Sequence, residues 1–133
     1  VSRVFLAFLF ACETGMRLGE ICRLETVTGR VASLIETKNG DCREVPLTMA
    51  ALEIWKKHGP FGLTEQQVDI HFRKSCEKAG ITGLHFHDSR ALAITRLAAK
   101  LDILALARAI GHRNLSQLQV YYRESAEDIA RKL

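Results

Sequence analysis

Between His85 and Tyr122 the chain reads HFHDSRALAITRLAAKLDILALARAIGHRNLSQLQVYY. It sets a histidine and an arginine three residues apart (His87, Arg90), a glycine–histidine pair (Gly111, His112) and two adjacent tyrosines (Tyr121, Tyr122). An imidazole, a planar cation and a phenol can surround one phosphate, with one tyrosine as nucleophile. Upstream, Arg17 stands three residues before Glu20, and Lys38 precedes Asn39-Gly40. Taken alone, Arg17 and Glu20 have the spacing of an ordinary i,i+3 ion pair, and Lys38 is a solvated turn lysine.

The elements that must position these groups follow from periodicity and capping. Residues 3 to 13 are apolar on nearly every side, the pattern of a helix buried by its neighbours, and Thr14-Gly15 breaks it. A second helix is expected from Met16 to Leu24, with Arg17, Glu20, Ile21 and Leu24 on one face, so that an arginine points inward beside a carboxylate. β-Branched and aliphatic residues flank Asn39-Gly40, the dipeptide of a type I′ hairpin turn. Strands are expected at 30–37 and 42–46, with Lys38 at the tip.

Thr48 caps a helix carrying Leu52 and Trp55 at core spacing. Thr64 and Gln67 form a capping box for a helix of 65–79, with Val68, Phe72, Cys76 and Ala79 as its apolar stripe. Arg73, Lys74 and Lys78 lie off that stripe, either as a solvated face or along a nucleic-acid backbone. From His87 to Lys100 the wheel gathers Ala91, Ile94, Leu97, Ala98 and Leu101 on the inward face, together with His87 and Arg90. An inward arginine needs a buried anion or costs several kcal/mol. Asp102 caps a helix of 103–110, and Gly111 ends it in a left-handed cap that displays His112. Drawn as one more continuous helix, the next segment clusters Leu115, Leu118 and Tyr122, while Tyr121 lies about 90° away. Tyr122 is therefore expected to pack and Tyr121 to be available.

The totals set bounds. A chain of 133 residues, 47% hydrophobic with two prolines, is one domain with a sizeable core. A net charge of +4 and a pI near 9.0 favour a polyanionic partner only weakly. Cys12, Cys22, Cys42 and Cys76 include no close pair of the kind zinc sites use, and read as reduced, mostly buried thiols. The longest apolar run, Val4 to Cys12, is nine residues, against the roughly 20 of a membrane span. A cytoplasmic location is expected. The helical pattern starts at the first residue, so an upstream domain is expected as well.

Four ordered stretches, ETGMRLGEICRL, TKNGDCREVPL, FHDSR and IGHRNLSQLQVYY, resemble the tyrosine recombinases, or phage integrase family, across nearly the whole chain. The resemblance implies an α+β, mainly α-helical catalytic domain over residues 1–133, with a small antiparallel β-hairpin or sheet near residues 30–47, without the family's upstream core-DNA-binding domain. It makes Arg17 the first catalytic arginine, Glu20 its supporting acid, Lys38 the mobile hairpin lysine, His87 and Arg90 the His-x-x-Arg pair, His112 the second histidine and Tyr121 the nucleophile. Ser89 and Ala91 depart from the leucine and histidine frequent in the family, at positions that carry no chemistry.

The implied reaction is tyrosine attack on a DNA phosphodiester through a covalent 3′-phosphotyrosine, without metal, ATP or other cofactor. Implied partners are double-stranded DNA at a specific recombination site, a tetramer on DNA from a domain that is monomeric alone, and accessory DNA-bending proteins in the nucleoid of a bacterial or phage-infected cell. Arg73, Lys74, Lys78 and Arg113 are the DNA-binding candidates. Three other readings compete: a helical DNA-binding module without chemistry, an enzyme like the type IB topoisomerases, and a hydrolase with His85, His87 and Asp88 as metal ligands.

Overall fold

A computed structural model of the chain describes residues 2–35, 42–112 and 114–133. The central element is helix α1, Arg3–Thr14. Ser2 caps it by accepting from the Phe5 N–H, and Gly15 ends it at φ +71°, its N–H bonded to the Ala11 carbonyl. Ala7, Phe10 and Ala11 are fully buried, but Phe5 is 51% exposed, so the expected all-round burial fails along one edge. A short α2, Leu18–Arg23, follows.

Three strands form an antiparallel sheet in the order β1 (Thr26–Thr28), β2 (Val31–Ile35), β3 (Cys42–Pro46). The register pairs Ala32 with Val45 and Leu34 with Arg43. Ala32, Leu34 and Val45 turn to the core, and the two-residue period carries Arg43 to that same face. β1 adds a strand that the hairpin pattern did not predict. The expected hairpin tip, with Lys38, falls outside the described residues.

Helices α3 (Met49–His58), α4 (Glu65–Lys78), α5 (Asp88–Ala98) and α6 (Ile103–Ile110) complete the body. The starts of α3, α4 and α6 follow the predicted capping chemistry: the Thr48, Thr64 and Asp102 side chains accept from Ala51, Gln67 and Ala105 N–H groups, and the Gln67 side chain accepts from the Thr64 N–H. Thr48 also donates to Glu13 at 2.8 Å, joining α3 to α1. A last helix, α7 (Ala126–Ala130), contains no buried residue.

Two apolar clusters result. The larger one gathers α1, α2, the sheet, α3 and α4 around Phe10, Met16, Ile21, Val45, Phe61 and Val68, where each large side chain contributes about 1.5–3 kcal/mol by leaving water. The smaller joins α5 to α6 through Ile94, Leu106, Ala107, Ile110 and Leu118, with Tyr121 and Tyr122 packed at its edge. Arg90 donates to the carbonyls of Gly15, at the end of α1, and of Ile110, at the end of α6, so it stands on the seam between the clusters.

The free cysteines are less buried than expected: Cys12 and Cys76 are interior, Cys22 is half-buried and Cys42 is exposed.

Candidate active site

Two of the predicted side chains are buried polar groups, Arg90 at 5% exposure and Glu20 at 5%. Arg90 lies in the first turn of α5, where Ser89, Ala93 and Ile94 share its inward direction. Its Nη2 donates to the Ile110 carbonyl at 2.9 Å and its Nη1 to Gly15 O. Burial lowers its pKa to about 10, helped by the charges of Arg17 and Arg43 and opposed by Glu20. It remains cationic at neutral pH, and three of its five N–H donors stay uncommitted to these carbonyls.

Glu20 Oε1 accepts the backbone N–H of Arg17 at 2.9 Å, and Oε2 pairs with the Arg43 guanidinium. Burial alone would raise this carboxyl. The hydrogen bonds from Arg43 and Arg17 and the charges of both arginines prevail, holding it below the usual carboxylate range. The expected face of Arg17, Glu20, Ile21 and Leu24 needs correction. Arg17 is the N-cap of α2 with extended backbone (φ −73°, ψ 153°), and its side chain is exposed. Its main chain, not its side chain, meets Glu20. The ion-pair partner is Arg43, from a strand.

His112 follows Gly111, whose φ of +72° ends α6 as predicted. The His112 N–H bonds Ala107 O at 3.0 Å. Burial lowers the pKa of this half-buried imidazole, and the nearby charges of Arg90 and Arg17 lower it further. The ring is therefore neutral at pH 7, able to donate one hydrogen bond and accept another. Charge effects thus link Arg90 to Arg17, Arg43 and Glu20, and His112 to Arg90 and Arg17, so three guanidinium charges and one carboxylate share this region, with Arg43 alone paired to the carboxylate.

His87 does not share the inward face expected of it. It occupies the N-cap position of α5 without a capping hydrogen bond, exposed at the edge of a cavity of about 430 Å³ whose lining includes Met16, Phe72, Arg73, Leu84 and Phe86. The inward face of α5 runs through Ser89, Arg90, Ala93 and Ile94, which turns both His87 and Ala91 toward solvent. Asp88 accepts from the His85 N–H at 2.8 Å and so acts as a local cap. Among the described residues, no group of three or more His, Cys, Asp or Glu side chains has a metal-holding arrangement. Of the basic residues on α4, Arg73 reaches the cavity of His87; Lys74 and Lys78 are exposed elsewhere on the helix. Lys38 and Arg113 lie outside the described residues.

The segment that carries the tyrosines departs from expectation, although Tyr122 packs as expected. Residues 114–122 form two 3-10 turns, Leu115–Gln117 and Gln119–Tyr121, in place of one α-helix. Asn114 causes the first: its side chain accepts from the Ser116 N–H at 3.0 Å and the Ser116 hydroxyl at 2.6 Å, competing with helical bonds. Both tyrosines are half-buried against the smaller cluster. The Tyr122 hydroxyl donates to Leu101 O at 2.6 Å, and burial raises its pKa, with Asp102 adding to the effect. Among the described residues, no hydrogen bond joins the Tyr121 hydroxyl to the arginine cluster.

Arg43 escaped prediction although the strand pattern held a signal for it. It lies two residues before Val45 on a strand whose inward face is apolar, and a cation there requires a partner.

Comparison with known proteins adds an independent finding. The sequence profile of the phage integrase family matches residues 61–128. A putative integrase/recombinase of Haemophilus influenzae is 39% identical over 145 residues, covering 99% of this chain and 48% of that protein. The shufflon-specific DNA recombinase of Escherichia coli is 35% identical, covering 98% of this chain and 37% of its own length. The chain thus spans less than half of these curated relatives. The Tn1549 transposon integrase, solved in complex with transposon right end DNA, superposes over 98% of this chain and 57% of its own with a TM-score of 0.75 at 18% identity.

Proposed function

Since the chain belongs to the phage integrase family, we propose that it is the catalytic part of a site-specific DNA recombinase that cuts and rejoins strands through a 3′-phosphotyrosine. The observation that carries this reading is the cation cluster. Arg17 and Arg90 stand close enough for each to be felt at His112, with Glu20 as the one buried carboxylate among the described residues. Such a cluster has an excess of positive charge and is organised before any ligand arrives, which suits an anion whose charge grows in the transition state.

In the proposed reaction the Tyr121 oxygen attacks phosphorus. Its proton passes to His87, an O–P bond forms to the tyrosine, and the P–O5′ bond breaks. Lys38 protonates the departing 5′-oxygen. A free phenol has a pKa of about 10, so attack near neutrality needs such a base and the surrounding cations. Arg17 and Arg90 hold the non-bridging oxygens in forked, charge-assisted bonds that lysine could not reproduce. His112 donates to one of those oxygens, and Glu20 supports the site from beneath. The covalent bond conserves the energy of the broken linkage, so a 5′-hydroxyl can reverse the step without ATP or metal. Arg73, Lys74, Lys78 and Arg113 are assigned to the DNA backbone. The working assembly is a tetramer on a specific site, with accessory bending proteins, in the cytoplasm.

A nicked suicide DNA substrate tests this, because the cut end diffuses away and traps the adduct on a denaturing gel. Wild type and Tyr122→Phe are expected to yield an adduct and Tyr121→Phe none, with no response to a chelator. An adduct from Tyr121→Phe and none from Tyr122→Phe would overturn the assignment of the nucleophile. Loss of the wild-type adduct with chelator would favour a metal-dependent reaction.

A further inference from the structure

We propose that Arg43 is a positioning residue of this site: by tying β3 to α2 and to the last turn of α6, it sets where Arg17 and His112 stand relative to Arg90. Two arginines grip adjacent carbonyls at the end of α6. Arg43 Nη2 donates to Ala109 O at 3.0 Å, and Arg90 Nη2 donates to Ile110 O at 2.9 Å. Their other ends reach the α1–α2 junction on either side of Met16. Arg90 reaches Gly15 O, while Arg43 reaches Glu20, whose second oxygen holds the Arg17 N–H. The bonds close a ring that runs from Gly15 through Arg90 to Ile110 and Ala109, and from there through Arg43 and Glu20 to Arg17.

The close approach at Gly111 points the same way. A Cβ on Gly111 would lie 2.5 Å from Arg43 Nε and 2.8 Å from its Cζ. Arg43 is thus pressed against the residue that turns the chain into His112, and its Nε, buried, finds no hydrogen-bond partner among the described residues. The planar fork accounts for the choice of residue. Lysine would keep the charge but could not offer two fixed, divergent donors to Glu20 and Ala109 O together.

The activity arm of the test rests on the recombinase reading; the other arm does not. His112 is titrated by NMR in wild type, Arg43→Lys and Arg43→Met. Burial first and then the charges of Arg90 and Arg17 depress His112, and the Arg43 charge is not among these causes, so its loss alone should leave the titration in place. If Arg43 positions the loop, both variants shift His112 upward toward its ordinary value, and Arg43→Lys does so although its charge is kept. In parallel, single-turnover adduct formation at saturating protein is expected to fall about 10- to 100-fold, the scale of a small misplacement, with DNA affinity unchanged within about twofold. A residue that only stabilised the fold would lower Tm and leave the titration untouched.

Identical His112 titrations in wild type and Arg43→Lys would overturn the proposal. If the single variants unfold, the double variant Arg43→Met/Glu20→Met removes the buried charges together, a change proteins often tolerate. An unshifted His112 there would equally overturn it. If wild type forms no adduct, the recombinase reading fails, and the His112 titration alone decides the role of Arg43.

Discussion

The arginine cluster and the tyrosine segment are held by different forces. Around Arg90 and Glu20 every link named above is a charge-assisted hydrogen bond, the Arg90 pair buried and the others part-buried, so the geometry is stiff and a lost partner is costly. Residues 114–122 are two 3-10 turns resting on apolar contacts, with the Tyr122–Leu101 bond as their polar link to α5's C-terminal side. Short 3-10 turns have poorer hydrogen-bond geometry than an α-helix, so this segment adapts at low cost. The half of the site proposed to hold the phosphate is thus rigid, and the proposed nucleophile rides on the softer half.

The contrast is open to test. The largest effect is expected from Tyr121→Phe, which should reduce adduct formation to background while leaving Tm within about 1 °C, since it removes one hydroxyl with no partner among the described residues and no packing. A drop of several degrees would mean that this hydroxyl is part of the fold. Arg90→Ala comes next. It should slow adduct formation about 10²- to 10³-fold and also lower Tm. It forfeits two bonds worth about 1.5–3 kcal/mol each, offset in part by relief of repulsion from Arg17 and Arg43. Unchanged stability would show the cluster to be looser than its geometry implies.

Glu20→Gln isolates the rigid half by pH. Because the folded Glu20 pKa is depressed, its contribution to stability is present above the unfolded carboxylate value and is lost as pH falls through the folded one. The Tm difference between wild type and Glu20→Gln should be widest near about pH 6 and shrink toward about pH 3. A constant difference across that range would contradict the ion pair's role. The smallest effect belongs to the soft half: Tyr122→Phe should cost about 1 kcal/mol, measured by urea unfolding. A loss of several kcal/mol would remove the distinction between the two regions.

Local rules recovered the elements whose determinants are neighbours in the chain. Thr64 with Gln67 and Asp102 with Gly111 act within a turn of the groups they satisfy, and the alternation in β3 needs no distant partner. The same rules failed where a tertiary contact or a competing side chain intervened. Asn114 diverted the start of the 114–122 segment into a 3-10 turn, Arg17 left α2 for its N-cap position, and His87 came to stand outside α5. The half-right expectation for Glu20 is instructive. The helical wheel sets Arg17 inward beside Glu20 as its i,i+3 partner, whereas the sheet delivers the actual partner, Arg43, from 23 residues away.

By itself the sequence determined the residue types of the site, their order, the caps that start and end its helices, and the family. Those are encoded within a few positions of one another, where backbone geometry and hydrogen-bonding propensity act directly. Only the tertiary structure decided that Arg90 would reach both Gly15 and Ile110, that Arg43 would neutralise Glu20, and that the tyrosines would rest on the α5–α6 cluster. Such pairings depend on how separate apolar faces pack together, and spacing along the chain carries no record of that.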